Sequence, residues 1–154
     1  MPISELLTPS MTRCHLDAVS KKRVLELASE LLASDNESLE AEDVFSALLN
    51  RERLGSTGIG DGVAIPHCRL AGCDRALALL ITLKEPVDFD AIDNRPVDLL
   101  CCLLVPEDAA TAHLQTLAGL AEMFSQSDIR ESLRQCTDDQ ALYQRFVELS
   151  GSQG

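Results

Sequence analysis

The chain has 154 residues, of which 45% are hydrophobic and 3% aromatic, and its formal net charge at pH 7 is −12. This length and hydrophobic content are typical of a folded domain that needs neither a metal nor disulfides, and they exclude a disordered chain. The acidic charge argues against nucleic-acid binding, which depends on basic patches, and the few aromatic side chains leave no platforms for base stacking.

The sequence predicts a cytoplasmic protein. Its first residues lack the positive and apolar stretches of a signal peptide, and the clearest apolar runs, Leu77–Ile81 and Leu99–Val105, are far shorter than the roughly 20 residues of a membrane span. Six cysteines in such a compartment are expected to be reduced thiols. Their spacing does not complete a zinc site, so we expect neither a bound metal nor a cofactor.

The N-terminal half is predicted to contain two amphipathic helices and a short strand. The first helix spans Ser20–Ala33, with Ser20 as its N-cap. The second spans Glu40–Arg53, and Gly55 follows it in the position of a left-handed terminating residue. The short apolar run Val63–Pro66 is predicted to be a strand.

Two longer strands follow. Ala76–Leu83 and Asp98–Val105 are near-continuous apolar runs, which are typical of strands covered on both faces. The polar segment Asp88–Pro96 between them is predicted to be mainly a loop.

The C-terminal third is predicted to be helical. In chain order it holds a long helix from Asp108 to about Gln126, a short helix over Asp128–Gln135 capped by Ser127, a last helix started by a capping box at Thr137 and Gln140, and a polar tail from Gly151 to Gly154.

Strands therefore interleave with helices, although two helices come first and three come last. This order predicts a three-layer α/β domain with a central mixed sheet. No internal repeat or long linker divides the chain, so residues 1–154 are predicted to form a single domain with an ordered core over about 6–147.

The most informative segment is the glycine-rich stretch between Arg51 and His67, which holds four of the eight glycines. Its order of helix, glycines and strand is the reverse of a Rossmann loop, and the Gly-Lys-Ser/Thr of a P-loop is absent. Both facts argue against a nucleotide site. From the residues alone two interpretations stay open: a helix end followed by an irregular turn, or a backbone shaped for close approach to a ligand or partner.

This segment resembles the active-site signature of the mannitol/fructose-type enzyme IIA domains of the bacterial phosphotransferase system. The residues that carry the likeness are Gly55-Ser56-Thr57-Gly58-Ile59-Gly60 and Ala64-Ile65-Pro66-His67. Further segments resemble the nitrogen-regulatory branch of that family: Phe89–Asn94, Pro96–Leu100, Leu104-Val105-Pro106 and His113-Leu114. The likeness extends from about Leu6 to Val147. The stand-alone length also favours that branch over the sugar-specific relatives, which are often fused to transporter domains.

The resemblance implies a phosphoryl carrier whose central mixed sheet is flanked by helices on both faces. The phosphorylated histidine of the family falls on His67, with the phosphoryl group on Nε2. The second active-site histidine falls on His113 and the active-site arginine on Arg51. The implied partners are a phosphocarrier protein of the nitrogen branch, as donor, and regulatory targets such as potassium transport or sensor proteins. A net charge of −12 favours partners with a basic face.

These residue types suit phosphoryl transfer. A neutral imidazole is a good nucleophile near pH 7, because the ordinary pKa of histidine is about 6.5. A guanidinium fork such as that of Arg51 matches the equatorial oxygens on which charge develops. His113 lies near a predicted helix N-terminus, whose dipole favours an anion. The hydroxyls of Ser56 and Thr57 are further candidates for donating to phosphate.

Three neighbouring residues are predicted to have no catalytic role. Arg53 points about 200° away from Arg51 around the helix. Cys68 faces the opposite side of the strand from His67, so the two do not form a nucleophilic pair. His15 has no evident partner and is predicted to be structural or on the surface.

Two other functions stay open from the sequence. The same site in a sugar-specific enzyme IIA would pass phosphate to a IIB domain for sugar uptake. A non-catalytic binding module would instead use the glycine loop to grip a partner, and it would form no phosphoryl intermediate.

Overall fold

The computed structural model describes residues 3–109 and 112–151. Two short 3-10 helices, Ile3–Glu5 and Pro9–Met11, precede the main elements. Those elements are β1 (Thr12–Leu16), α1 (Lys21–Ser34), α2 (Ala41–Leu54), β2 (Gly58–Gly60), β3 (Val63–Ala64), β4 (His67–Leu70), β5 (Leu77–Val87), β6 (Val97–Pro106), α3 (Ala112–Phe124), α4 (Ser127–Arg134) and α5 (Asp139–Gly151). None of the helices in the described ranges is both long and apolar enough to cross a lipid bilayer.

The six strands form one mixed sheet in the order β1-β5-β6-β3-β2, and β4 also pairs with β6. β5 is antiparallel to β6, whereas β1 is parallel to β5, and β3 and β4 are both parallel to β6. Burial is continuous over Ala78–Leu83 and Leu99–Val105. Because successive side chains of a strand point to opposite faces, both faces of the sheet are covered. The predicted three-layer α/β fold is therefore confirmed.

The helices pack in two groups. α1 and α2 contact each other, and they contact the sheet through β5 and β4 respectively. α5 packs along β1, and α4 contacts both α3 and α5. Three fully buried aromatic rings, those of Phe89, Phe124 and Phe146, contribute to the core. This packing brings the C-terminal end of α2 beside β4, where the glycine-rich segment ends.

A strand precedes the first helix, so the predicted order with two helices first is wrong. β1 lies at an edge of the sheet, and its register against β5 shifts between Arg13 and Leu16. His15 lies within that shift with φ 55°, and its N–H donates to Oγ1 of Thr82 at 2.9 Å. The polar sequence of β1 carries little strand signal, because partners elsewhere in the chain supply its bonds.

The glycine-rich segment forms a hairpin rather than an irregular turn. β2 and β3 are antiparallel, and the turn between them is Asp61-Gly62, with φ 57° and 78°. Positive φ at both central residues is the type I′ pattern, for which Asp-Gly is a strong sequence signal that the sequence analysis did not use.

The strand expected over Val63–Pro66 is divided in the structure. β3 ends at Ala64, and β4 begins at His67 and continues along the same neighbour, β6. Pro66 has no N–H to donate, but its carbonyl accepts from the N–H of Leu103 at 2.8 Å. The two longer strands agree with their predictions, although β5 extends to Val87 and β6 spans Val97–Pro106.

The predicted N-cap of α1 is confirmed, because the Ser20 hydroxyl accepts from the N–H of Arg23 at 3.1 Å. The predicted left-handed terminator of α2 is wrong. Gly55 does follow the helix, but its φ of 156° and ψ of 147° lie outside the left-handed helical region, in a conformation that residues with side chains rarely adopt.

The ends of the C-terminal helices also differ from their predictions. Asp108 lies in a turn after β6, and residues 110 and 111, within the predicted start of the long helix, are outside the described residues. Ser127 is the first residue of α4 rather than its cap. Asp138 caps α5 in place of the Thr137 capping box, because its carboxylate accepts from the N–H of Ala141 at 2.8 Å. α5 continues to Gly151, and the rest of the predicted tail is outside the described residues.

Candidate functional site

Three of the candidate residues meet at one cavity of about 210 Å³. Arg51 comes from the last turn of α2, His67 is the first residue of β4, and His113 lies in the first turn of α3. The full lining is Arg51, His67, Cys68, Arg69, Leu103, Val105 and His113. Residues that are far apart in sequence therefore converge on one concave surface at β4 and β6.

Two contacts fix the tautomer of the His67 ring. Nδ1 lies 2.7 Å from the carbonyl oxygen of Ile65, which can only accept, so Nδ1 carries the proton. On the other side of the ring, Nε–H of Arg51 donates to Nε2 at 3.3 Å. The lone pair of Nε2 therefore points toward the cation.

The environment keeps His67 neutral. Burial lowers the pKa of His67 below its ordinary value, and the charges of Arg51 and His113 lower it further. The hydrogen bond to Ile65 and the carboxylate of Glu52 act in the opposite direction without reversing the shift. At pH 7 the Nε2 atom is consequently an unprotonated nucleophile.

The guanidinium of Arg51 is held at two points. Besides its contact with His67, Nη1 donates to the carbonyl oxygen of Gly55 at 2.8 Å. The carbonyl of Gly55 thus orients the Arg51 side chain. Arg53 donates instead to Oδ1 of Asn50 at 3.4 Å and is not part of the cavity lining, in line with its predicted direction.

His113 is half-buried at the junction of two cavities. It lines the site and also a neighbouring cavity of about 340 Å³. Its Nδ1 is buried and has no hydrogen-bond partner among the described residues. The ring is therefore close enough to influence His67 and retains unused hydrogen-bonding capacity.

The predicted phosphate-binding hydroxyls have other partners in this structure. Ser56 Oγ donates to the carbonyl of Phe89 at 2.6 Å, and it accepts from the N–H of Gly58 at 3.0 Å. Thr57 is buried, and its hydroxyl donates to the carboxylate of Glu52. Neither residue lines the cavity. Direct contact of Ser56 and Thr57 with phosphate stays a prediction.

Glu52 is a supporting residue that the sequence analysis missed. Its carboxylate is buried beside Arg51, pairs with Nζ of Lys21 at 2.6 Å and accepts from the N–H of Thr57 at 3.2 Å. Nζ of Lys21 also donates to the carbonyl of Phe89 at 3.2 Å. An acidic residue in the last turn of a helix opposes the helix dipole, and this was a signal that Glu52 has a specific partner.

Packing accounts for two glycines of the segment. A Cβ on Gly58 would lie 2.8 Å from Cβ of Ala91, and one on Gly62 would lie 2.5 Å from Nη2 of Arg134. The interpretation of the glycines as a ligand-binding backbone is therefore not needed for these positions. Gly58 lets the hairpin lie against Ala91 in the loop between β5 and β6, and Gly62 lets it approach Arg134 of α4.

Cys68 also lines the cavity, next to His67. Burial raises the pKa of its thiol to about 12, which disfavours the thiolate that a nucleophilic Cys–His pair would need at pH 7.

Comparison with known proteins shows a family match that extends over nearly the whole chain. The family model described as phosphoenolpyruvate-dependent sugar phosphotransferase system, EIIA 2, matches residues 5–148. A nitrogen regulatory protein from Pseudomonas aeruginosa is 44% identical over 151 residues, which cover 98% of each chain. The crystal structure of nitrogen regulatory protein IIA-Ntr from Neisseria meningitidis is 47% identical, with a TM-score of 0.84 over 93% of this chain and 97% of that one. IIA mannitol from Escherichia coli shares the fold, with a TM-score of 0.74 over 94% and 98% of the two chains, but is 22% identical.

Proposed function

Since the chain belongs to the EIIA 2 family of phosphotransferase-system components, we propose that it is a phosphohistidine carrier with a regulatory output. It accepts a phosphoryl group on Nε2 of His67 and acts on target proteins according to its phosphorylation state. The observation that carries this proposal is the unprotonated Nε2, which faces a guanidinium inside the cavity. The donor is a phosphocarrier protein of the nitrogen branch, itself charged from phosphoenolpyruvate through an enzyme I.

The transfer step needs no proton to leave His67. The lone pair of Nε2 forms the new P–N bond while the bond from phosphorus to the donor breaks, and that electron pair leaves with the donor. Nδ1–H stays on the Ile65 carbonyl throughout. Arg51 must release Nε2 before attack, because its Nε–H occupies the lone pair in this structure. The guanidinium then binds the equatorial oxygens, where the negative charge develops.

His113 supplies a further hydrogen bond to the phosphoryl group. Its ring lines the same cavity, and it lies in the first turn of α3, near the positive end of the helix dipole. Together Arg51 and His113 offset the charge of the group in an otherwise acidic chain.

Phosphorylation would change the face that partners meet. It adds about −1.5 to −2 charges at the mouth of the cavity. A target with a basic face binds the two forms differently for that reason, which makes the phosphoryl group a signal.

The comparisons favour nitrogen regulation over sugar uptake. The relatives at 44% and 47% identity over nearly the whole chain are named nitrogen regulatory proteins, whereas IIA mannitol is 22% identical. We therefore place this chain in the regulatory branch.

The test is labelled phosphoryl transfer from phosphoenolpyruvate through the enzyme I and phosphocarrier of the nitrogen branch. Wild type should take up acid-labile, base-stable label, and His67→Ala should take up none. His15→Ala is the matched control, since it removes an exposed histidine that does not line the cavity, and it should be labelled normally.

Two outcomes would overturn the proposal in different ways. Efficient labelling by the sugar branch, followed by transfer to a IIB domain, would show a sugar-uptake component. A wild-type chain that is labelled by neither branch would leave the non-catalytic binding module as the better account.

A further inference from the structure

A second guanidinium lies beside the proposed phosphoryl site. Arg69 follows His67 by two residues on β4, and alternate residues of a strand share a face. Their partners on β6 are Leu103 and Val105, and all four side chains line the same cavity. The pairing of β4 with β6 therefore holds Arg69 on the wall that carries the nucleophile.

The Arg69 side chain makes no polar contact that would stabilise the described part of the chain. It is exposed, and within the described residues its guanidinium has no hydrogen bond or ion pair. The other arginines near the site are engaged: Arg51 holds His67 and Gly55, and Arg53 donates to Oδ1 of Asn50. The Arg75 guanidinium also has no hydrogen bond or ion pair within the described residues, so what sets Arg69 apart is its place in the lining of the cavity that holds His67.

We propose that Arg69 is a second phosphoryl-binding residue, which closes on the phosphoryl group as it passes between the donor and His67. This inference rests on the proposed function and deepens it. Arg51 binds the group from the α2 side of the cavity, and Arg69 binds it from the strand that carries His67. No bond is made or broken by Arg69, since it donates N–H groups to the phosphoryl oxygens.

The two arginines have different tasks because their starting states differ. Arg51 begins on Nε2 and must exchange one hydrogen bond for another, whereas Arg69 begins solvated and is ordered only when an anion enters. Charge-assisted hydrogen bonds of this kind change a rate or an affinity by about ten- to a hundredfold when one partner is removed.

The experiment compares Arg69→Ala with Arg53→Ala in the full chain. Both variants remove one exposed arginine from the region of the site, but Arg53 does not line the cavity. The rate of transfer from the phosphorylated carrier protein is measured against its concentration, so that kcat and KM are separated. We expect Arg69→Ala to lower kcat by about ten- to a hundredfold, and Arg53→Ala to stay within about twofold of wild type.

Arg69→Lys adds a second criterion. A lysine keeps the charge but loses the planar fork, so it should restore only part of the kcat. Thermal melting of both Arg69 variants should match wild type, because the Arg69 guanidinium makes no hydrogen bond or ion pair within the described residues.

The outcomes separate this inference from the proposed function. If Arg69→Ala is labelled at His67 but with a lowered kcat, the result supports both the proposed function and the role of Arg69. If Arg69→Ala transfers as fast as Arg53→Ala, the role of Arg69 is wrong and the proposed function is unaffected. The same holds if Arg69→Ala changes only KM and the change disappears at high salt, because Arg69 would then only steer the donor. If wild type accepts no phosphoryl group, the proposed function and this inference are both wrong.

Discussion

At the residue scale, the chemistry depends on which nitrogen of His67 carries the proton. The Ile65 carbonyl takes Nδ1–H, and Arg51 approaches Nε2 from the other side. A short backbone contact two residues away thus leaves Nε2 unprotonated, and burial together with the cation beside it lowers the pKa of the ring.

This arrangement makes a prediction about pH. Burial and Arg51 both lower the pKa of His67, so the acid limb of phosphoryl acceptance should lie below the ordinary value of about 6.5. Arg51→Ala removes one of those influences and should raise the pKa of His67, which moves the acid limb upward. NMR titration of the His67 ring protons measures this pKa in wild type and in Arg51→Ala. Arg53→Ala is the control, and it should leave the pKa unchanged. An unchanged or lower pKa in Arg51→Ala would contradict this account.

The residue types of the site were predictable, but their contacts were not. The motif around His67 identified His67, Arg51 and His113 from the sequence through the family resemblance. The partners of the Ser56 and Thr57 hydroxyls depend on Phe89 and Glu52, which the fold brings close. The position of Arg69 likewise follows from strand pairing with β6, which no local pattern reports.

At the element scale, the hairpin of β2 and β3 connects α2, which carries Arg51, to β4, which begins at His67. Its glycine at position 58 lets the backbone rest against Ala91 in the loop between β5 and β6. The two segments are joined again where the N–H of Asp61 donates to the Asp93 carboxylate at 2.9 Å.

We expect Gly58→Ala to lower the free energy of unfolding by about 1–3 kcal/mol, because its new Cβ overlaps Ala91. Combining it with Ala91→Gly removes the closest atom, so the double variant should lose less stability than the sum of the two single changes. Urea denaturation of wild type, the two single variants and the double variant measures the four free energies of unfolding. Additivity within about 0.5 kcal/mol would show that the two positions do not interact.

Element types were better predicted than element ends. The stripes of α1 and α2 and the apolar runs of β5 and β6 are strong periodic signals. The cap of α5 moved from Thr137 to Asp138 because the two residues offer similar side-chain acceptors and only the local backbone decides between them. β1 was missed because its place at the sheet edge depends on β5 and α5.

At the scale of the whole molecule, one ion pair between a partly exposed lysine and a buried carboxylate joins several parts of the chain. Lys21 lies at the start of α1 and Glu52 at the end of α2, and their contacts extend to Thr57 and to Phe89. The pair therefore fixes how the helices, the glycine-rich segment and the loop after β5 meet beneath Arg51.

Glu52→Gln should destabilise the chain by about 3 kcal/mol, because Lys21 then loses its buried counter-ion. Adding Lys21→Met should recover part of that loss, since no uncompensated charge remains. The surface pair Arg23–Glu26, at 4.0 Å, is the matched control, and Glu26→Gln should cost less than about 1 kcal/mol. Chemical denaturation of these variants measures the difference, and equal costs at the two pairs would contradict the prediction.

The two edges of the sheet also bear on how the molecule behaves in a crowded solution. An open edge with a long row of free N–H and C=O groups recruits strands from other molecules and seeds aggregates. Here β1 has five residues, a register shift at His15 and an N–H at Cys14 that donates to the Asp139 carboxylate at 2.7 Å. The opposite edge is formed by β2, with three residues, and by β4, with four residues, which within the described part of the chain pairs only with β6. The same irregularities that hid these strands from the sequence patterns thus protect the folded chain against edge-to-edge polymerisation.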